Sequence, residues 1–247
     1  MYRKIKLINH HFIDKCTSII LKEVQTHTEK IFDKVEDIHS AVAIDKVNRL
    51  RIKCFEEINC LDWEREFLPS LTDCIHEYCG PDYMLQNKIN LSIVMPNDEN
   101  SVLSGHSDSW TGESPFQINF WIPLTDTYEK NGIFILNEEK SFDIFEKIKN
   151  GSDSNFVENL EDGDFVQVKF GEAVVFNPVL YHGSITNLTN KTRASLNFRA
   201  KNLFAPDLSE YFPDRNPFSY YKKIFYSKST NLGIKYLSML KSEKERL

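Results

Sequence analysis

In the first third of the chain, apolar residues recur at helical spacing. Over residues 10 to 33, Phe12, Cys16, Ile19, Ile20, Val24 and Ile31 fall on one stripe, the recurrence that places side chains on one face of an α-helix. Asp14, near its start, suits the positive end of the helix dipole. A second helix is expected over residues 36–50 and a third over 62–79, closed by Gly80-Pro81, a pair that a helix does not continue through. From Lys88 onward the pattern changes to short apolar runs between turn signals such as Pro96-Asn97-Asp98, Gly112 to Pro115, Glu161 to Asp164 and Asn187 to Asn190. Strands are expected over 88–95, 116–124, 132–136, 164–169, 172–177, 180–186 and 193–200.

Three of these strands alternate with period two. Ile89, Leu91, Ile93 and Met95 oppose Lys88, Asn90 and Ser92; Ile118, Phe120 and Ile122 oppose Gln117, Asn119 and Trp121; Ala194, Leu196, Phe198 and Ala200 oppose Arg193, Ser195, Asn197 and Arg199. Each polar face is open to two readings, solvent or a polar interior. Solvent faces favour Lys, Glu and Thr, whereas these carry Asn, Gln and Arg, and Asn is depleted in strands unless bonding compensates. A polar lumen that holds an anionic ligand accounts for all three strands together. Many short strands with polar turns suggest a sandwich or barrel. Beyond Phe204 the chain is rich in aromatics, including Tyr211, Phe212, Phe218, Tyr220, Tyr221, Phe225, Tyr226 and Tyr236, and helices are expected to the end. The expectation is a single α+β domain over 1–247, with a helical flank (1–82), a β core (83–203) interrupted by an insertion at about 137–163, and an aromatic-rich C-terminal part (204–247).

Composition narrows the function. The 247 residues are 41% hydrophobic and 13% aromatic, enough for a large core, and carry a net charge of -6 with a pI near 5.7. That balance argues against a general nucleic-acid binder, which concentrates Lys and Arg on its surface. No apolar run is long enough to span a bilayer, and the polar start lacks a signal-peptide core, so no membrane association and a cytoplasmic location are expected. Cys16, Cys54, Cys60, Cys74 and Cys79 show no C-x-x-C spacing and are read as buried helical thiols rather than a disulfide or zinc set.

His106-Ser107-Asp108 follows the strand-like segment Ser101 to Ser104 and Gly105. In extended backbone, residues two apart point the same way, so one imidazole and one carboxylate can share an ion. His27-Thr28-Glu29 has the same spacing but lies in the first helix, where such residues diverge around the axis. His182 is the sole histidine after His106, and it ends an apolar strand followed by a turn. Two histidines and one carboxylate on one face suit non-haem iron(II), because open positions remain for co-substrate and dioxygen, whereas zinc favours a tetrahedral set.

With these residues in view, the chain resembles the iron(II)/2-oxoglutarate-dependent dioxygenase superfamily, in particular its phytanoyl-CoA dioxygenase-like branch. The resemblance spans about 88 to 200 and rests on Lys88 to Pro96, His106 to Asp108, Ser114 to Leu124 and Arg193 to Arg199. It is similar most of all to oxygenases of bacterial carbohydrate-biosynthesis clusters. The resemblance implies a double-stranded β-helix of jelly-roll or cupin type, with Fe(II), 2-oxoglutarate and O2 as cofactor and co-substrates. It implies metal ligation by His106, Asp108 and His182. Arg193 takes the place of the arginine that pairs with the far carboxylate of 2-oxoglutarate through a bidentate fork, and Arg199 on the same face is the competing choice or a substrate contact. Asn90, Gln117 and Asn119 are implied as hydrogen-bond partners of the co-substrate, and Lys88, Trp110, Trp121 and Tyr181 as pocket or substrate contacts. The presence of Asp108 favours hydroxylation or desaturation over halogenation, since halogenating members lack that carboxylate.

The function expected is oxidation of a small molecule, a sugar or nucleotide-linked sugar by resemblance, with release of succinate and CO2. Two rivals stay open at this point: a non-oxidative cupin-like isomerase or epimerase, and a catalytically silent binding protein on the same barrel. The polar insertion is either a lid or a solvated excursion with a helix near residues 142–149.

Overall fold

The computed structural model describes residues 2–128, 130–152, 156, 160–206 and 220–244. The first stripe forms helix α1 (His11–Thr28), which buries Phe12, Cys16, Ile20 and Val24 and carries Asp14 in its first turn. It stops earlier than expected because Glu29 adopts a left-handed conformation, φ 57°, leaving Ile31 exposed. The second stretch is a 3₁₀ segment, Val35–Ser40, followed by α2 (Ile44–Ile58). The third breaks into α3 (Trp63–Glu66), a 3₁₀ turn at Leu68–Ser70 and α4 (Thr72–Cys79). Pro69 lies at the break, where its ring and missing N–H prevent continuation of the preceding turns. Gly80 ends α4 at φ 73°.

The strands are β1 (Arg3–Lys6), β2 (Tyr83–Gln86), β3 (Asn90–Val94), β4 (Gln117–Pro123), β5 (Phe134–Ile135), β6 (Glu172–Phe176), β7 (His182–Gly183), β8 (Arg193–Asn202) and β9 (Tyr221–Phe225). A large antiparallel sheet has the order β1-β6-β4-β8-β2-β9, with β3 also pairing β8, and a small sheet pairs β5 with β7. Three strands escaped the sequence reading. β1 is short and charged, β2 is buried on both faces and shows no alternation, and β9 replaces the start of the expected C-terminal helices before helix α6 (Lys228–Lys244). Tyr211, Phe212 and Phe218 lie outside the described residues.

The expected strand over 164–169 is reduced to a bridge between Phe165 and Phe134. Thr127 replaces part of the ladder there: its hydroxyl accepts from the Val168 N–H at 2.7 Å and lies 3.2 Å from the Val166 carbonyl. The expected strands at 132–136 and 180–186 likewise shrink to the two-residue β5 and β7.

The period-two alternation decides which face the helices cover. Leu91 and Ile93 of β3, Ile118, Phe120 and Ile122 of β4, Ala173 and Val175 of β6, and Ala194, Leu196, Phe198 and Ala200 of β8 join the buried residues of α1, α2 and α4 in one core. Phe120 and Phe198 stack there at 4.8 Å. The opposite faces turn inward rather than to water: Gln117, Asn119, Arg193 and Ser195 are all buried. Beside them Trp121, Ile133, Ile135, Val166, Val168, Val174, Phe176 and Leu180 form an apolar layer between the two sheets.

The insertion contains α5 (Glu138–Lys149), begun by Asn137, whose side chain accepts from the Lys140 N–H. Leu136, Ile144, Phe165 and Tyr181 pack as a separate cluster beneath it. Residues 153–155 and 157–159 of the insertion lie outside the described residues. The cysteines are all free, and Cys60, expected to be buried, is exposed in the turn after α2. Among the described residues no helix is long and apolar enough to cross a membrane.

Candidate metal centre

Two backbone segments distant in sequence meet at His106 and His182. Each N–H donates to the other's carbonyl at 2.9 Å, a hydrogen-bonded antiparallel pair. A glycine beside each histidine permits this approach. A Cβ on Gly105 would lie 2.0 Å from the Tyr181 hydroxyl, and one on Gly183 would lie 2.7 Å from the Leu103 carbonyl. The chain then turns through a 3₁₀ segment, Asp108–Thr111, ended by Gly112 at φ 89°. The Asp108 N–H and the Ser107 hydroxyl both donate to the Pro178 carbonyl at 3.1 Å, which ties this turn to the segment carrying His182.

The side chains converge accordingly. His106 Nε2 is 3.2 Å and His182 Nε2 3.8 Å from Asp108 Oδ1, and the imidazole centroids are 4.4 Å apart. His106 Nδ1 lies 2.8 Å from the Ser104 carbonyl and His182 Nδ1 2.7 Å from that of Leu180. A carbonyl can only accept, so these contacts place a proton on each Nδ1, and in the neutral imidazoles they turn the Nε2 lone pairs toward the shared point. Asp108 divides its oxygens. Oδ1 faces the imidazoles, while Oδ2 accepts from Asn119 at 2.7 Å and from Arg199 Nη2 and Nε at 3.1 and 3.3 Å.

Burial opposes charge on Asp108, yet the hydrogen bond with His106 and the nearby Arg199 and His182 hold its carboxyl well below the usual range. Burial pushes His182 down to about 4, which keeps it neutral at pH 7. For His106 burial acts the same way, but the hydrogen bond to Asp108, the bond to the Ser104 carbonyl and the charge of Asp108 together outweigh it, and the net shift is upward. Arg199 is half-buried, and although its desolvation opposes charge, Asp108 keeps it firmly protonated; it also bonds the Tyr220 hydroxyl.

The trio opens onto a pocket of about 210 Å³ lined by Ser92, Asn119, Trp121, Phe176, Arg193 and Asn197 among others. Arg193 is its second cation. It lies 5.8 Å over the Trp121 ring, and it donates to the Ser195 hydroxyl at 2.9 Å and the Asn131 carbonyl at 3.2 Å. No carboxylate among the described residues pairs with it, and burial lowers it to about 10. The structure thus separates the two arginines, which stand six residues apart on one face of β8, about 20 Å along an extended strand. Arg199 serves Asp108, and Arg193 is a buried cation without a counter-ion.

Of the other residues singled out from sequence, Asn119, Trp121 and Arg199 line this pocket. Asn90, Gln117, Lys88, Trp110 and Tyr181 do not. Asn90 bonds Asn197, and Gln117 accepts from the Tyr221 hydroxyl. Lys88 lies on the outer surface over the Phe55 ring, while Trp110 and Tyr181 pack against each other. Ser92 and Asn197 were visible only as part of polar strand faces. Ser101, Leu103, Ile133 and Ser184 line the pocket from loops and short strands that carry no periodic signal.

This barrel with two histidines and a carboxylate at its mouth defines a class, the cupin-type non-haem metal proteins. The profile of the Phytanoyl-CoA dioxygenase (PhyH) family matches residues 10–195, and the chain belongs to that family. A curated relative, the streptomycin biosynthesis protein StrG of Streptomyces griseus, is 30% identical over 125 residues, 49% of this chain and 47% of that protein. The match thus spans about half the length of the curated relative. Among solved structures, the non-heme monooxygenase ThoJ in its apo form has a TM-score of 0.53 at 14% identity, covering 84% of this chain and 76% of that one. HygX from Streptomyces hygroscopicus with nickel and 2-oxoglutarate bound has a TM-score of 0.50 at 15% identity, covering 82% and 83%. At these identities the likeness is one of fold.

Proposed function

We propose that the chain is an iron(II)- and 2-oxoglutarate-dependent oxygenase that hydroxylates or desaturates a carbohydrate-derived small molecule in the cytoplasm. The donor set fits the metal: one nitrogen from each of the two imidazoles and one carboxylate oxygen lie within 4.8 Å of one another. The observation that carries the reading further is Arg193, a buried guanidinium lacking an anionic partner in the pocket onto which the trio opens. Burying an unpaired charge is costly, and a carboxylate seated against it offsets that cost. A short dicarboxylate such as 2-oxoglutarate would suit this pocket, with Arg193 holding the carboxylate that lies away from the trio. The free cysteines suit a reducing compartment, and the relative named for streptomycin biosynthesis supports the substrate class.

In this reading His106, Asp108 and His182 would hold the metal, which when bound would activate dioxygen for oxidation of the substrate at the expense of 2-oxoglutarate, with succinate and CO2 as its products. Asn119 and Arg199 hold Asp108 Oδ2, so the carboxylate presents one oxygen and leaves other positions open. Ser195 and Asn131 fix the Arg193 fork. Trp121, Ile133 and Phe176 exclude water from the pocket wall. The test is an anaerobic titration of the protein with Fe(II) and 2-oxoglutarate, watching for the visible charge-transfer band of the chelate. The band is expected with the native chain and is lost or greatly weakened in Arg193→Gln, which retains Fe(II). Absence of the band in the native chain rejects the reading.

A further inference from the structure

The pocket at the trio, about 210 Å³, is small beside the 300–1,000 Å³ usual for ligand sites. Once a five-carbon dicarboxylate is seated it leaves little room for a sugar. A second, open cleft of about 1010 Å³ adjoins it and shares Ser92, Ser101 and Leu103 with it. Its walls are the first turns of α2, strand β3 and the loop from Asp98 to Leu103. Asp45, Asn48 and Arg51 recur every three residues on α2 and line it together. β3 pairs only with β8, so its other edge faces this cleft, where the Leu91 carbonyl lies 3.5 Å from Arg51.

The chemistry of the walls selects among substrates. The lining contains no aromatic ring on which a nucleobase could stack. Its single cation, Arg51, is already engaged by the Asn48 side chain at 2.8 Å. Against it stand the exposed carboxylate of Asp45 and the buried one of Asp98, whose Oδ1 accepts from the Asn100 N–H at 3.0 Å, with the neutral polar groups of Asn48, Asn100 and Ser101. A diphosphate would meet more negative than positive charge here. A hydroxyl-rich amine finds the exposed Asp45 carboxylate for an ammonium group, with Asp98 behind it, and amides and a hydroxyl for its hydroxyls.

We infer that this cleft seats the prime substrate, and that the substrate is a phosphate-free, cationic polyol of the amino-sugar or aminocyclitol type rather than a nucleotide-linked sugar. The assignment rests on the oxygenase reading for its chemistry, but the binding can be tested separately. Kanamycin, UDP-glucose and coenzyme A serve as probes, titrated by calorimetry into the metal-free protein at 0.15 M salt, where nonspecific attraction to the net negative chain is screened. The same probes are then added to the anaerobic Fe(II) and 2-oxoglutarate complex while its visible band is monitored. Kanamycin is expected to bind and to perturb the band, and UDP-glucose and coenzyme A to do neither. Asp45→Asn, at an exposed helix position that should not disturb folding, is expected to weaken kanamycin binding about tenfold. Asn48→Trp, also exposed, fills the cleft and abolishes it, and both variants keep the band itself. Failure of kanamycin to bind, binding that Asp45→Asn leaves unchanged, or preferential binding of UDP-glucose overturns the inference. Loss of the band in the native chain counts against the oxygenase reading alone.

Discussion

Arg199 holds Asp108 from behind: its Nη2 and Nε reach the carboxylate oxygen that faces away from the two histidines, at 3.1 and 3.3 Å. Asp108 is buried and Arg199 half-buried, so the contact is better shielded from water than a surface ion pair. Breaking a buried pair leaves an uncompensated charge, at a cost of about 3–5 kcal/mol. Asn119 and the imidazoles remain beside Asp108, which places Arg199→Gln near the lower end of that range. Urea unfolding of the metal-free protein is expected to show a loss of roughly 3 kcal/mol. The double variant with Asp108→Asn should lose less than the sum of the single losses. Additive losses would show that the pair is not coupled.

Metal binding is expected to weaken in acid, and the two imidazoles contribute unequally. Ligation requires both to be neutral. His182, pushed down to about 4 by burial, already is neutral at pH 7. Burial lowers His106, but its bonds to Asp108 and the Ser104 carbonyl and the charge of Asp108 together shift it upward, so a proton competes with the ion for it more readily than for His182. The metal-free protein takes up that proton more readily than the metal-bound one, so lowering the pH favours the metal-free state. Below neutrality the affinity for Fe(II) or Ni(II) should fall by up to about tenfold per pH unit, the slope for one released proton, and more steeply once His182 also titrates. Calorimetric titrations at several pH values read this directly, and a flat profile between pH 6 and 7.5 contradicts it.

The period-two faces of β3, β4 and β8 were legible because one side packs on helices and the other carries Asn, Gln and Arg. The trio was legible because His106 and Asp108 share an extended segment and His182 has no competitor downstream. The division of labour between Arg193 and Arg199 was not legible, because both occupy the same face of one strand. Only the turn that brings Asp108 beside Asn119, which pairs with Arg199 across β4 and β8, separates them. β2 and β9 were missed for a different reason. Full burial removes the alternation of β2, and β9 exists by pairing with β2, a long-range contact that no local pattern records.

The glycine before His106 supports the site through space rather than through backbone freedom. An alanine there would place its Cβ 2.0 Å from the Tyr181 hydroxyl and 2.2 Å from the adjoining ring carbon. Tyr181 is fully buried against Phe134, Phe156 and Trp110 and cannot swing aside. Gly105→Ala is expected to destabilise the protein by about 1–3 kcal/mol, the usual cost of overpacking, and to weaken metal binding by shifting His106. In a Tyr181→Leu background, which removes the obstructing atoms, the same substitution should cost much less. Equal costs in both backgrounds would sink the steric account.

Thiol chemistry provides a test of the helical core that does not involve the metal. Cys16, Cys54, Cys74 and Cys79 are buried, and burial pushes Cys54 and Cys79 up to about 12 and Cys74 to about 11, with Cys16 higher still. Reaction with a disulfide reagent proceeds through the thiolate and needs access, so at pH 8 these four are protected on both counts. Cys60, exposed after α2, has neither protection from burial nor a disulfide partner. Ellman's reagent is therefore expected to titrate one thiol rapidly in the native protein and all five in denaturant, and Cys60→Ser should remove the rapid phase. Rapid reaction of more than one thiol in the native protein would mean that the helices do not pack on the sheet as described.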